Sequence, residues 1–245
     1  MERMPIYGPF AKYYEEIYSE RPYQKEVEFI ESMLQKYDLE GRILDVGCGT
    51  GQHVKLLNEK GYYVMGMDAS EEMLEIAQEN VKNVEFFKGD MKDFTTSETF
   101  DTMLCLFTTM HYNKSMKEVE KTLRNFYNAL GRKGIVIFDI SLTEDVRGGP
   151  SLHVHADDTL QIARVGLWRP RGDVMHAKFL FLVKDQEGMD FEVEKHVLGL
   201  FNLEQIKEVM EKIGFQVKMY QDFTLEAYSN EAHRPVFIGL KNIKE

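Results

Sequence analysis

The stretch Arg42-Ile43-Leu44-Asp45-Val46-Gly47-Cys48-Gly49-Thr50-Gly51 decides the fold. Residues 42–46 read as a short buried strand. Glycines follow at 47, 49 and 51, and Val54 and Leu57 then recur at helical spacing up to Gly61. A strand that passes through glycines into a helix leaves N–H groups free at the helix start and lets a ligand approach the backbone closely. A dinucleotide fingerprint needs its third glycine three places after the second, whereas Gly51 follows Gly49 by two, which argues against an NAD dehydrogenase. The Lys-Ser/Thr pair of a P-loop is absent. Asp45, just ahead of the loop, would repel a pyrophosphate and suits a ligand bearing an ammonium group.

Working outward, the unit repeats. Before the loop, Val27, Ile30, Met33, Leu34 and Tyr37 mark a helix that opens near Pro22. After it come a strand over 62–67, a helix capped by Ser70 that buries Met73, Leu74 and Ala77, and strands over 84–87 and 101–107. A helix through Val119, Leu123, Phe126 and Leu130 ends at Gly131, and 135–140 is continuously apolar, as a strand covered on both faces should be. Such alternation predicts an α/β fold with a doubly wound, mostly parallel, Rossmann-like sheet. Past Gly148-Gly149-Pro150 the pattern changes. Segments 159–168, 174–184 and 190–200 are rich in β-branched and aromatic residues with turns between them, which predicts an inserted antiparallel β meander. A helix over 203–213 and strands over 215–220 and 235–240 close the sheet.

Two further acids stand in register with the glycine loop. Asp68 ends the second strand, where a carboxylate can accept both hydroxyls of a ribose. Asp90 follows the third strand and can accept from an adenine amino group. Each acid alone could be a helix cap or a solvated charge; three at successive strand ends are better explained by one ligand.

Composition narrows the partners. The 245 residues carry 30 Lys+Arg against 41 Asp+Glu, a net charge of −11. Phosphate neutralisation drives nucleic-acid affinity, so this balance favours a small-molecule partner over nucleic acid. No apolar run is long enough for a membrane span, and the N-terminus has no apolar core of a signal peptide, so a cytoplasmic protein is expected. Cys48 and Cys105 form no metal or disulfide framework, and no metal site is expected.

Four segments together resemble the class I S-adenosylmethionine-dependent methyltransferases: LDVGCGTG (44–51), MGMDAS (65–70), FKGDM (87–91) and FDTMLCLFTTMHY (100–112). The resemblance spans about residues 10–240. It implies a seven-stranded sheet whose last hairpin is antiparallel, and bound S-adenosylmethionine. Asp45 and the backbone of Gly47, Cys48, Gly49, Thr50 and Gly51 would hold the methionine part, Asp68 the ribose, and Asp90 with Met91 the adenine. Ala69 and Met73 would lie against the nucleoside, and Phe107 either packs on the cofactor or fills the sheet.

A narrower resemblance is to small-molecule N-methyltransferases that act on nucleotide-linked amino sugars and on glycine. FAKYYEEIY (10–18) is similar to their closing N-terminal segment, which would set Tyr14 and Tyr23 beside the methionine part. LFTTMHY (106–112) is similar to a loop with a catalytic histidine at His111, and the meander before HVLGLF (196–201) is similar to their lid sheet. Glu15 stands where that group commonly has Asp, and Thr108-Thr109 where the sugar enzymes tend to have serines. The implied organisation is an N-terminal helical lid (1–40), a cofactor-binding core (41–148 and 201–245) and an inserted substrate lid (149–200).

In-line transfer from a sulfonium needs an acceptor with a free lone pair, and a histidine suits removal of an ammonium proton. His111 is therefore the candidate base; the other reading is a helix-start histidine without a role. His153 and His155 read as surface histidines, Glu15-Glu16 as a solvated helix face, and His176, Arg164 and Trp168 as core, exposed or substrate-facing. No [DNS]PP[YF] or Pro-Cys motif marks a nucleic-acid substrate. The expected protein is a monomeric or homodimeric enzyme that methylates nitrogen, or less favourably oxygen, of a small molecule. The alternative is a non-catalytic regulatory module that binds S-adenosylmethionine.

Overall fold

The computed structural model describes residues 11–229 and 234–243. Residues 1–10 of the expected N-terminal lid, Phe10 of its aromatic segment included, lie outside the described residues. Strands β1 (Arg42–Val46), β2 (Tyr63–Asp68), β3 (Glu85–Lys88), β4 (Phe100–Cys105), β5 (Leu130–Asp139), β10 (Gln216–Gln221) and β11 (Pro235–Lys241) form one sheet in the order β10-β11-β5-β4-β1-β2-β3. β1 pairs in parallel with both β2 and β4, so the strand order reverses beside β1. A crevice for a ligand opens at that switch, outside the carboxyl ends of the strands. β11 is reversed, antiparallel to β5 and β10.

Helices cover both faces because both faces are apolar. On one side α2 (Tyr23–Tyr37), α3 (Gln52–Glu59) and α4 (Glu71–Asn80) bury Val27, Ile30, Met33, Val54, Leu57 and Leu74 against Ile43, Leu104 and Ile137. On the other, α5 (Met116–Ala129) and α6 (Leu203–Ile213) bury Leu123, Phe126, Ile206 and Met210 against Leu44, Met103, Val136 and Phe237. Polar side chains set the helix starts: Ser70, Ser115 and Asn202 accept from N–H groups in the first turns of α4, α5 and α6. Gly214, at φ 118°, stops α6 where a side chain would be strained.

A second, antiparallel sheet contains β6 (Gly149–Ala156), β7 (Gln161–Arg171), β8 (Val174–Asp185) and β9 (Gly188–Gly199) in sequence order. Its inner face lays Ile162, Phe179, Phe181 and Val183 on Tyr13 and Ile17 of the N-terminal segment, where α1 (Tyr14–Ile17) lies.

Three expectations about elements are corrected. The meander has four strands, not three; β6 starts at Gly149, where glycine and proline suggested a boundary, because Gly149–Ala156 pairs along its whole length with β7. β4 ends at Cys105, not Phe107, because Phe107 and Thr108 turn the chain at φ 57° and 66°. Gly131 does not follow α5 as a stop but lies inside β5, which begins at Leu130; Lys241 Nζ donates to the carbonyls of Tyr127 and Leu130 and so satisfies that helix end.

Candidate functional site

The glycine loop folds over the end of β2. Gly47 and Cys48 both donate to the Met67 carbonyl, at 2.7 and 3.0 Å. Gly47, Gly49 and Gly51 all have positive φ. At Gly47 glycine is also sterically required, since a Cβ would lie 2.3 Å from Thr109 Cγ2. At Gly49 a Cβ would meet nothing within 4 Å, so the loop leaves open space there. Thr50 is buried and its hydroxyl has no partner.

Asp45 is 2% exposed, and its Oδ2 is buried without a hydrogen-bond partner. Burial pushes its carboxyl up to about 6; His53 pulls the other way, and Asp68 and Glu26 add to the rise. A buried carboxylate without a partner is costly. It is the group that a cationic ligand would relieve.

Asp68 is buried at the end of β2. Its Oδ2 accepts from Gly49 N and its Oδ1 from Ser70 N, both at 2.9 Å. Burial raises its carboxyl, and those backbone donors oppose the rise. Asp68 thus joins the loop to the start of α4, while its neighbour Ala69 is exposed. Met73 is buried in the first turn of α4, where its N–H donates to Ser70 Oγ. Asp90 is exposed, with Oδ1 accepting from Lys92 N and lying 3.1 Å from Lys92 Nζ. Met91, half-buried, accepts from Asn113 Nδ2 through its sulfur.

The aromatic residues gather as a group. The rings of Tyr14 and Tyr18 are 4.7 Å apart, and Tyr18 meets Phe107 edge-on at 4.9 Å. The Arg21 guanidinium lies 3.6 Å from the Phe107 ring centroid and 5.4 Å from that of Tyr23. Burial pushes the Tyr14 phenol well up and that of Tyr23 to about 12, so both are neutral.

His111 does not offer the free lone pair expected of a base. It has no exposed surface, and its ring stacks on Phe201. Nδ1 lies 2.8 Å from the Gly199 carbonyl, and Nε2 accepts from Ser141 N at 3.1 Å and Leu142 N at 3.3 Å. These partners fix the Nδ1–H tautomer, and burial holds the imidazole below its ordinary pKa. The ring ties the turn Thr109–Tyr112 to the end of β9 and to the segment after β5.

Sequence reasoning missed a charged centre beneath the aromatic group. Glu26, 1% exposed, receives Arg21, His53 and Arg234 at 2.7 to 2.8 Å. Burial works against ionisation, but the His53 hydrogen bond and the charges of His53, Arg21 and Arg234 win and hold its carboxyl down at about 2. Arg234 also reaches Asp139, which accepts from Phe107 N and so holds the left-handed turn. Arg21 Nε is buried without a partner. Glu15 is not on a solvated face: its Oε1 accepts from Gln52 and Asn80, docking α1 on α3 and α4. The expectation of a surface His153 is also corrected, since its Nε2 is buried without a partner; Arg164, its cross-strand neighbour, donates to Tyr18.

Residues 43–134 match the family model described as a methyltransferase domain. A putative methyltransferase of Bacillus subtilis, YqeM, is 31% identical over 97% of this chain and 98% of its own. A dTDP-4-amino-2,3,4,6-tetradeoxy-D-glucose N,N-dimethyltransferase of Saccharopolyspora spinosa is 26% identical over 82% of this chain and 78% of its own. CalS10, an amino pentose methyltransferase of Micromonospora echinaspora solved with S-adenosylmethionine bound, has the same fold. It superposes with a TM-score of 0.78 over 93% of this chain and 96% of its own, at 21% identity.

Proposed function

The chain belongs to the class I S-adenosylmethionine-dependent methyltransferases, and on that premise we propose that it methylates a nitrogen of a small molecule, with an amino sugar linked to a nucleotide as the first class to test. Relatives that act on such sugars support the acceptor, over four fifths of the chain. The acidic balance of the sequence disfavours nucleic acid. Among the described residues no helix is long and apolar enough to cross a membrane.

The observation that carries the reading is the partnerless Oδ2 of Asp45, buried beside a loop with open space at Gly49. Those residues fit the cofactor: Asp45 would take the ammonium of its methionine part, the open loop would let the backbone approach it, and Arg21 Nε would face its carboxylate. Asp68 would receive the ribose hydroxyls, exchanging its bond to Gly49 N. Asp90 and Met91 would border the adenine, with Ala69 beside the nucleoside. Tyr14, Tyr23 and Phe107 would shield the sulfonium from water. When bound, S-adenosylmethionine supplies an electrophilic methyl carbon. The chain's own task is to hold an acceptor lone pair in line with that carbon in a dry site, a positioning effect that reaches roughly 7–11 kcal/mol in well-oriented systems.

The test is transfer of labelled methyl from S-adenosylmethionine to a panel of nucleotide-linked amino sugars, simple amines, phenols and sugar alcohols, with mass spectrometry locating the methyl group. Label on nitrogen is expected. Label confined to oxygen or carbon acceptors would overturn the nitrogen assignment.

A further inference from the structure

The inner face of the second sheet carries a buried polar chain that neither the glycine loop nor His111 accounts for. Glu194 and His196 alternate along β9 and are 1% and 4% exposed. The His196 Nε2 lies 3.4 Å from Glu194 Oε2, and its Nδ1 lies 3.1 Å from Tyr112 Oη. Tyr112 closes the turn at the mouth of β4, the residue after His111. Around this chain Trp168, Met175, Phe179 and Leu198 form an apolar wall. Packing alone would be served better by apolar residues, because two buried ionisable groups are costly to desolvate.

The chemistry of the three groups fixes a direction. Burial pushes the Glu194 carboxyl up, and the His196 hydrogen bond and charge oppose that rise; as the anion it only accepts, and Nε2 of His196 then carries the hydrogen while Nδ1 keeps its lone pair toward the Tyr112 hydroxyl. Tyr112 can then give its proton to His196 and keep an oxygen lone pair for another donor. Tyr112 is half-buried and ends the turn that follows β4, the strand paired with β1, which sets it at the carboxyl-end crevice where the strand order reverses.

We infer that Tyr112 Oη takes the proton from the acceptor amine, with His196 receiving the proton of Tyr112 and Glu194 holding the resulting imidazolium. The inference rests on the nitrogen reading above. The N–H bond of the acceptor ammonium breaks and its proton passes to Tyr112 Oη as the Tyr112 O–H proton passes to His196 Nδ1. The freed nitrogen lone pair forms the new N–C bond, and the electron pair of the broken S–C bond stays on sulfur. Tyr112 is the catalytic residue in this scheme; His196 and Glu194 are positioning residues. The other ionisable groups facing the chain are Arg164 from β7, Glu192 from β9, Tyr14 from α1 and Tyr18 just after it, with Arg164 bonded to Tyr18. His111, two positions before Asn113 and saturated by backbone partners, holds the turn that presents Tyr112.

The experiment uses the full chain and the amine that the acceptor panel finds to be turned over best. Tyr112→Phe and His196→Gln are expected to lower kcat at pH 7 by about 100-fold or more. Affinity for S-adenosylhomocysteine and melting temperature should stay close to the wild type. The deficit should shrink as pH rises toward the pKa of the amine itself, where unprotonated acceptor needs no base. Glu194→Gln should move the same way by less. A loss that is equal at every pH, or that falls on KM alone, would mark a packing role and overturn the inference, as would a fully active Tyr112→Phe. Should His196→Gln fail to fold, the conservative Tyr112→Phe decides. A wild type that methylates no amine would instead overturn the nitrogen reading, and this relay with it.

Discussion

Asp45 lets the cofactor reading be tested by pH. Its carboxyl titrates at about 6 in the folded chain because burial disfavours the anion. In the unfolded chain an aspartate titrates near ~3.9. Between these values the folded state keeps a proton that the unfolded state has lost, so stability without ligand falls as pH rises through that window, by about 3 kcal/mol when complete. An ammonium ligand favours the anion and reverses the sign. Affinity for S-adenosylhomocysteine should therefore drop as pH is lowered below about 6, and calorimetry near that pH should show a proton released on binding. Asp45→Asn should weaken binding by about 1.5–3 kcal/mol and flatten the pH dependence. An unchanged affinity from pH 5 to 7 in the wild type would remove Asp45 from the ammonium site. Asp45 and Asp68 are legible in the sequence because each sits at a strand end within reach of the loop it serves. His111 is only half legible. Its position in a motif is visible, but its partners Ser141, Leu142 and Gly199 lie 30 to 88 residues away, and they consume the lone pair a base would need. His111→Asn should consequently lower melting temperature, and any loss of rate should persist at high pH, unlike that of Tyr112→Phe.

Elements held by apolar periodicity are readable in sequence, whereas those held by a distant charge are not. The α2 helix was open to prediction from Val27, Ile30, Met33 and Leu34, but the partners of its Glu26 arrive from three separate segments, one of them 208 residues on. Glu26 reads as an ordinary acid in a first helical turn until the fold brings Arg21, His53 and Arg234 to it. Replacing it takes an anion from half-buried Arg21 and leaves half-buried Arg234 with Asp139 alone. Glu26→Gln should cost about 3–5 kcal/mol in chemical denaturation. The sign with pH is opposite to that of Asp45. A carboxyl held at about 2 contributes stability that is complete above its unfolded value and is lost as pH falls through roughly 4.3 toward 2. A variant with the same acid transition as the wild type would show that the cluster contributes nothing to it. The first helix is subtler. Four residues cannot sustain a helix by backbone bonds alone, so α1 depends on the grip of Glu15 on Gln52 and Asn80. Glu15→Ala should increase proteolytic cleavage within 11–22, and saturating S-adenosylhomocysteine should slow that cleavage if the segment closes over the cofactor. The missed strand β6 has a related cause: polar residues fill its inward positions, so its alternation is weak until β7 is beside it.

At the scale of the whole molecule, the outer face of the second sheet carries a continuous apolar patch. The strand register sets Leu152, Val165, Leu180 and Val193 in one row and Val154, Ala163, Leu182 and Phe191 in the next. Leu152, Val154 and Phe191 are 71%, 60% and 64% exposed, and Leu167 and Met189 extend the patch at its edges. Outward positions of a sheet facing water are normally polar, and here both rows are apolar across all four strands. Lysines 178, 184 and 195 lie around this area, where a rim would be. With strands about 4.8 Å apart and alternate residues about 6.8 Å apart, the footprint is on the order of 400 Å² before side-chain relief is counted. Monomers seldom expose a larger continuous patch, and it would form the apolar centre of an interface of about 800 Å² per partner. A second copy of the chain would supply a matching face through a two-fold axis, with the two sheets packed about 10 Å apart. Sedimentation at micromolar concentration should give twice the 28.6 kDa chain mass. Leu180→Lys combined with Leu182→Lys should return the monomer with little change in cofactor affinity, since both side chains point away from the inner face that carries Glu194 and His196. A wild-type chain that sediments at its single mass would leave this face without a self-partner, and the substitutions would then alter solubility alone.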